Sequence, residues 1–594
     1  MKLSDYVARF LAEQSIRHVF AMSGGASLHL IHSVADHPQL KFICPHHEQA
    51  GAMAADAYSR ITGNLGAAIA TSGPGATNLI TGICCAYYDS VPVLFICGQV
   101  ATFRMRGETG VRQLGFQETA IVDVVRPITK YAVLIQDAND VRYELEKAVW
   151  FAREGRPGPV VVDIPDNVQR MEVDPSAMRS FAPEAGPDKA VGVASADIEK
   201  VLALLQHAER PVFVLGWGIR LAGAVNEVVE LVRRTGVPTL LTWGALDYLP
   251  DSEPLRVGSF GTHGTRYGNF ALQNCDVVIA IGSRLDTHCV GSPFTSFARA
   301  AKKVMVDIDA TEIGKFARED LRVDVPIMAD AGHFIGGMLD AASRCNLPSW
   351  REWKTTITRW KTRFPVVPDT YRSSTTTNPY VFIEALSQAA RDDEIVILDS
   401  GCAVAWASQA FRFKERQRYL HAFNNTPMGY GLPGAVGAAC ATGRRVLCIA
   451  GDGGIHVNIH ELATVAYHRL PVKIFVLNNG GYSMIQQTQD QWLGSRYFAS
   501  SHEGGLGFPD FVALAHAYGI KAHRIPGNAQ IEQGIREALA DDEPMLVDVV
   551  IPSAERVIPQ VKFGRPIEDP DPLLPRKEFL ENMIIEPLPV CIKE

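Results

Sequence analysis

Short runs of consecutive apolar residues, each closed by Gly, Asp or Asn, recur along this chain and limit what it can become. The first third holds "HVFAMSGG", "AAIATSGPG", "VPVLFICGQ" and "PVVVDIP"; the second holds "PVFVLGWG", "PTLLTWG", "VVIAIGSRL" and "KVMVDID". The last third holds "EIVILDSG", "RVLCIAGDGG", "KIFVLNNGG" and "MLVDVVIP". A strand with one wet face alternates apolar and polar residues, so a continuous apolar strand must be covered on both faces. Between the runs lie stretches with helical spacing, such as "NIHELATVAYH". Such strands alternating with helices specify parallel sheets with helices on each side. The expected fold class is α/β, with three doubly wound parallel-sheet domains.

A chain of 594 residues has length for about three or four domains. The expected ranges are 1–175, 190–350 and 375–552, with a Pro-rich arm over 553–594. Linkers are expected in the Pro-, Ser- and Thr-rich stretches near 171–190 and 365–379. A net charge of −8 offers no general attraction to nucleic acid or anionic membrane. The start, "MKLSDYVARFLAEQ", is amphipathic and carries acids, unlike a secretory signal, and no apolar run approaches a membrane span. The 11 cysteines are scattered without Cys-x-x-Cys pairs, which suits a reducing cytoplasm.

Ligands of open α/β sheets bind beyond the carboxyl ends of the strands. That edge should carry Asp452 of "GDGG" and Asn479 of "NNGG", each directly after a buried run. A carboxylate, a side-chain carbonyl and a main-chain carbonyl from the Gly480–Gly481 turn suit an octahedral Mg²⁺ completed by phosphate and water. The amides of Gly453 and Gly454, opening a helix, would face the phosphate. "GDG" alone is a common turn; its pairing with "NN" is what points to a metal-assisted diphosphate site.

The two motifs at this spacing resemble the thiamin diphosphate fingerprint of the pyruvate oxidase and acetolactate synthase superfamily. The resemblance implies Asp452, Asn479 and Gly481 as metal ligands. "CPHHEQAGAMAADAYSRITG" is similar to the segment that supplies the carboxylate activating the aminopyrimidine, which makes Glu48 that residue. "NNTPMGYGLPGAVGAA" matches the segment under the ring, with Met428 as the apolar wedge and the Thr426 carbonyl as acceptor for the exocyclic amine. Pro74, Asn78, Gly401, Cys402, Ala403, Tyr482, Ser483, Met484 and Ile485 fall on further cofactor positions. Because the family binds its cofactor between the first domain of one subunit and the third of another, a homodimer or dimer of dimers is implied.

The resemblance runs through nearly the whole chain. "SGGAS", "TSGPGATNLITGI", "DSVPVLFICGQV", "GFQET" and "RPITK" match acetolactate synthases in order, placing Gly25, Phe116, Gln117 and Lys130 on the substrate channel. His46 stands where those synthases usually carry Arg, and neither it nor His47 is placed like the paired histidines of pyruvate decarboxylase. That favours ligation to a second carbonyl compound over simple decarboxylation of pyruvate. The middle domain resembles the synthases' FAD-binding region, which implies flavin contacts at Gly216, Gly218, Gly264, Thr265, Gly282, Ser283, Arg284, Asp307, Ile308, Asp330 and Ala331, in a structural role. "RLDTHCVG" departs from that pattern, and short Gly turns after strands are generic by themselves.

Three further departures bear on the acceptor. The insertion "ATFRMRGETGVRQLG" brings Arg104, Arg106 and Arg112; Thr488 stands where synthases place a Trp; Cys402 and Ala403 replace Gln and His. "GVRQLGFQET", "GGYSMIQQTQ" and "PLLPRKEFLENMI" look like thiamin diphosphate enzymes of surface-polysaccharide pathways, the yersiniose-type branched-sugar synthases. That likeness implies a CDP-4-keto-3,6-dideoxy sugar as acceptor; the synthase likeness implies a second pyruvate. Arginines suit a diphosphate, and a charged loop is equally a solvated surface.

Overall fold

The computed structural model describes residues 1–183, 192–317 and 320–592. Part of the first expected linker, 184–190, lies outside the described residues. The strands form three parallel sheets of six. The first runs from His18–Ala21 to Val160–Pro165, the second from Pro211–Leu215 to Val325–Met328, the third from Ile395–Leu398 to Met545–Val550. Their central strands are buried throughout, as the continuous apolar runs require.

Counting strands within each sheet, the first and third share the spatial order 2-1-3-4-6-5. The middle sheet, read from its edge strand Arg256–Ser259, has the order 3-2-1-4-5-6 of the dinucleotide-binding folds. Connections leave opposite faces where the order reverses, and the crevice there is the expected ligand site. In the third sheet that point lies between the strands Ile395–Leu398 and Val446–Gly451. In the middle sheet it lies between Pro211–Leu215 and Val277–Ile281.

The first and last sheets meet through two small-residue helices, Glu48–Thr62 and Gly431–Thr442. A Cβ at Gly437 would stand 2.1 Å from the Ala54 carbonyl oxygen, so the crossing tolerates only glycine there. Beside it Arg60 lies buried between Asp56 and Asp89, with Nε 2.8 Å from Asp56 and Nη2 2.9 Å from Asp89. Arg60 also donates to the His421 carbonyl, and Tyr430 Oη donates to Asp56 at 2.6 Å, so the cluster ties the first domain to the last.

The segment after Pro552 is an arm clasped to the middle domain. Val561 N donates to Thr262 O, Arg266 to the Pro572 carbonyl, and Arg299 pairs with buried Glu568. Phe579 anchors its short helix Arg576–Asn582 in the core. Among the described residues no helix is long and apolar enough to cross a membrane.

Candidate functional site

At the carboxyl edge of the third sheet, Asp452 follows Val446–Gly451 and Asn479 follows Val472–Asn478. Asp452 Oδ1 accepts from Gly453 N at 2.6 Å, and Oδ2 from the backbone N–H of Asn479 and of Gly481, both at 3.1 Å. Burial raises this carboxyl to about 6 despite those donors. Asn479 Oδ1 stands 3.1 Å from Asp452 Oδ2 and 2.8 Å from Gly481 O, so three acceptors converge with no proton between them. Rotating the amide would relieve the clash, and so would a hard cation. Octahedral Mg²⁺ with ligands at about 2.1 Å sets neighbouring oxygens about 3 Å apart, which is the spacing present. The residues fit that ion.

Asp399, fully buried, pins the loop carrying Met428. Its carboxylate accepts from the backbone N–H of Ser400, Gly429 and Gly431 at 2.8–3.0 Å. Burial pushes it up to about 6. Met428 is 36% exposed, and its Cε lies 3.2 Å from where a Cβ on Gly453 would stand. Thr426 adopts φ 46°, a left-handed conformation costly for a β-branched residue, with its hydroxyl on the Phe423 carbonyl. Gly401, Thr426 and Met484 border one cavity; Cys402 and Ala403 open the buried helix behind it, and burial raises the Cys402 thiol to about 12. Tyr482 N donates to Ser500 O, Ser483 Oγ accepts from Asn479 Nδ2, and Ile485 is exposed.

At the carboxyl edge of the first sheet, Glu48 opens its helix and is 8% exposed. Its Oε2 accepts from Asn78 Nδ2 at 2.9 Å, and Oε1 lies 3.1 Å from the place of a Cβ on Gly75, next to Pro74. Gly25 begins a turn after His18–Ala21 with open space before it. Gln117, at φ 62°, sits against Gly73, and Phe116 is 86% exposed. Arg104 stacks on Phe103, Arg106 Nη1 reaches Val111 O, and Arg112 is exposed, so in the single chain this loop is solvated.

Lys130 is a correction. It precedes the strand Tyr131–Leu134, so it lies at the amino edge of the sheet, away from Glu48 and Gln117. Its Nζ donates to Glu154 O at 2.5 Å, and burial lowers it to about 8. Sequence order alone put it with "GFQET"; strand direction separates them.

Behind the loop, buried Asp163 accepts from Gln99 Nε2 at 2.9 Å and is raised by burial to about 7. A carboxyl raised above its unfolded value contributes stability below the unfolded pKa and loses it as pH climbs through the folded one. Asp163→Asn should therefore raise Tm at pH 8, with the gain shrinking as pH falls towards 4, in thermal scans across that range.

The middle sheet holds a cavity of about 620 Å³ at its switch point. Gly216 and Gly218 after one strand, and Gly282, Ser283 and Arg284 after the other, form its floor, with Asp307, Ile308, Asp330 and Ala331 further along. Burial raises the Asp307 carboxyl, and Asp330 caps the helix Ala331–Ala342. Trp217 and Trp243 line it with indole N–H groups that have no partner among the described residues. A dinucleotide with carbonyl and phosphate acceptors fits such walls, and the residues present fit FAD. Gly264 and Thr265 are not on the wall: Gly264 packs on the Phe260 backbone, and Thr265 caps the helix Arg266–Gln273. At the departing "RLDTHCVG", Asp286 caps its own short helix and His288 meets His263 at 2.9 Å. The same cavity reaches Gly401, Thr426 and Met484, so the residues expected at a flavin and those expected at the diphosphate border one space. Thr488 lies one helical turn beyond Met484, its hydroxyl on the Met484 carbonyl.

Sequence reading passed over Asp399, Glu118 and the Asp56–Arg60–Asp89 cluster. Asp399 stands in "ILDSG" at a strand end and Glu118 in "GFQET", but neither pattern marks a carboxylate that accepts main-chain N–H groups.

Three matches cover most of the chain: the thiamine pyrophosphate enzyme N-terminal TPP-binding domain over residues 1–123, the central domain over 198–338, and the C-terminal TPP-binding domain over 399–549. A probable acetolactate synthase 2, chloroplastic, of Oryza sativa subsp. japonica is 35% identical over 587 residues, 96% of this chain and 86% of the relative. An acetolactate synthase large subunit of Parasynechococcus marenigrum is 35% identical over 574 residues, 93% of this chain and 88% of the relative. A probable acetolactate synthase large subunit of Methanocaldococcus jannaschii is 34% identical over 575 residues, 95% and 94%. With the fold and these likenesses together, the chain belongs to the thiamin diphosphate enzymes of the acetolactate synthase type.

Proposed function

We propose that the protein is a carboligase that decarboxylates pyruvate and adds the two-carbon unit to a second carbonyl compound, with pyruvate itself as the acceptor. The observation that carries this is the oxygen triangle of Asp452, Asn479 and Gly481 beside the Met428 wedge, in a chain alike over its length to acetolactate synthases. Thiamin diphosphate, when bound, supplies the nucleophilic carbon that captures a 2-keto acid and lets CO₂ leave. Asp452, Asn479 and Gly481 would hold Mg²⁺ and through it the diphosphate. Met428 would bend the cofactor, and the Thr426 carbonyl would accept from its amine. Glu48 would hold and move the proton at the pyrimidine nitrogen.

Glu48 has one side-chain hydrogen bond among the described residues, from Asn78 of its own domain. Around both half-sites, Phe103, Leu114, Phe116, Ile485 and Trp492 leave large apolar surfaces exposed. Patches of this kind mark association surfaces. We read them as the faces by which two copies complete each other's sites, in a homodimer or dimer of dimers. FAD would sit in the central cavity as a structural group.

Incubation with pyruvate alone tests the acceptor: rapid, saturating acetolactate formation is expected, and only a slow trickle would overturn it. Thr488 supports a second reading, a bulkier ketone such as a CDP-4-keto-3,6-dideoxy sugar, because a small side chain there leaves the channel open. On that reading Thr488→Trp should lower kcat/KM for the bulky ketone at least tenfold while sparing pyruvate. Equal losses for both would remove it.

A further inference from the structure

The insertion that sets this chain apart, residues 101–115, is exposed over most of its length, yet a buried carboxylate just after it holds it. Glu118 is 7% exposed. Its Oε1 accepts from Arg106 N at 2.6 Å, and its Oε2 from Leu114 N at 2.9 Å and Gly115 N at 3.2 Å. Those donors are the two ends of the excursion 106–115, so one carboxylate closes the whole loop. Within the excursion the ties are few: Thr109 N and Oγ1 on the Arg106 carbonyl, and Arg106 Nη1 on Val111 O. The three amide donors, together with the Arg106 charge, hold the carboxyl below its ordinary range against the effect of burial, so it is ionised.

Directly before Glu118 in the chain stand Phe116 and Gln117, the pair that the resemblance puts on the substrate channel. Gln117 takes φ 62°, and its carbonyl oxygen lies 2.8 Å from where a Cβ on Gly73 would stand. Gly73 is the residue before the helix Pro74–Asn78, and Asn78 holds Glu48. Main-chain ties complete the seat: Glu118 N donates to Gly115 O, Gln113 Nε2 to Glu118 O, and Gln99 Nε2 to Thr119 O.

We propose that Glu118 is a positioning residue, an ionised clasp that fixes the 106–115 loop and thereby sets Phe116 and Gln117 against Gly73 for 2-keto acid binding. This rests on the carboligase reading for its substrate and on geometry alone for the clasp. A carboxamide cannot replace it, because three converging N–H donors would meet an NH₂ group on one side. The loop end that loses its acceptor is then released.

The test uses the full-length protein loaded with thiamin diphosphate and Mg²⁺, as wild type, Glu118→Gln and Glu118→Asp. Brief trypsin digestion reads cleavage after Arg104, Arg106 and Arg112 by mass spectrometry. Losing a charge-assisted tie should open the loop at least tenfold more often, so Glu118→Gln should be cut at least tenfold faster there. Glu118→Asp keeps the charge with a shorter reach and should fall between. Thermal midpoints read alongside separate loop release from global unfolding. KM for pyruvate should rise at least tenfold in Glu118→Gln with cofactor affinity unchanged, since the diphosphate grip lies on the last domain.

Wild-type cleavage in a folded Glu118→Gln overturns the clasp. Faster cleavage with unchanged KM overturns the positioning role. If Glu118→Gln does not fold, the Glu118→Asp comparison decides both. If wild-type protein turns over no pyruvate, the carboligase reading fails and the positioning claim with it, while digestion still decides the clasp.

Discussion

Glu48→Gln is expected to lower turnover by roughly 10²–10⁴-fold, the range for removing a positioned proton-transfer group. The side chains are nearly the same size, and Gln can still accept from Asn78 Nδ2, so the helix start should remain in place. What is lost is the capacity to hold a proton at the pyrimidine ring. The residues proposed to hold Mg²⁺ and the diphosphate lie on the other domain, so cofactor affinity should change little. Steady-state kinetics with pyruvate, run beside circular dichroism and cofactor titration, read the three quantities separately. Near-normal turnover in a folded, cofactor-loaded variant would remove Glu48 from the site.

The second large effect is on stability. Arg60→Met should cost about 3–5 kcal/mol, because it leaves Asp56 and Asp89 buried without their counter-charge. Burial already raises the Asp56 carboxyl with Arg60 present, and removing the cation raises it further. A raised folded pKa means stability that is present at low pH and lost as pH rises through it. The variant should therefore be closest to wild type in acid and fall behind as pH increases. Neutralising the whole cluster at once, with Arg60→Met, Asp56→Asn and Asp89→Asn combined, should recover much of the loss. Urea unfolding at pH 5 and pH 8 checks both statements. Because Arg60 also holds the His421 carbonyl and Asp56 holds Tyr430, Arg60→Met should further loosen the loop that carries Thr426 and Met428.

The fold was legible because its cause is local. A run such as "VVIAI" is apolar at every position, and only a strand covered on both faces satisfies that. The strand ends then named the edge where Asp452, Asn479, Gly216 and Gly282 lie. Strand order was not legible, since pairing depends on contacts remote in sequence, and the dinucleotide-type order of the middle sheet appears only in the structure. Lys130 shows the limit most clearly: its neighbours in sequence face one edge of the sheet and it faces the other. Glu118 and Asp399 escaped notice for a related reason. Each works by accepting main-chain N–H groups from a folded loop, and no residue pattern announces such acceptors.

On the proposed function, a divalent cation held by Asp452, Asn479 and Gly481 carries the diphosphate of one cofactor per chain. Calorimetric titration of the protein with thiamin diphosphate, in Mg²⁺ and again in excess EDTA, tests it most directly, with Asp452→Ala as the companion. One site per chain is expected in Mg²⁺, with affinity falling at least 100-fold in EDTA and in Asp452→Ala alike. Binding of equal strength in all three would contradict the account.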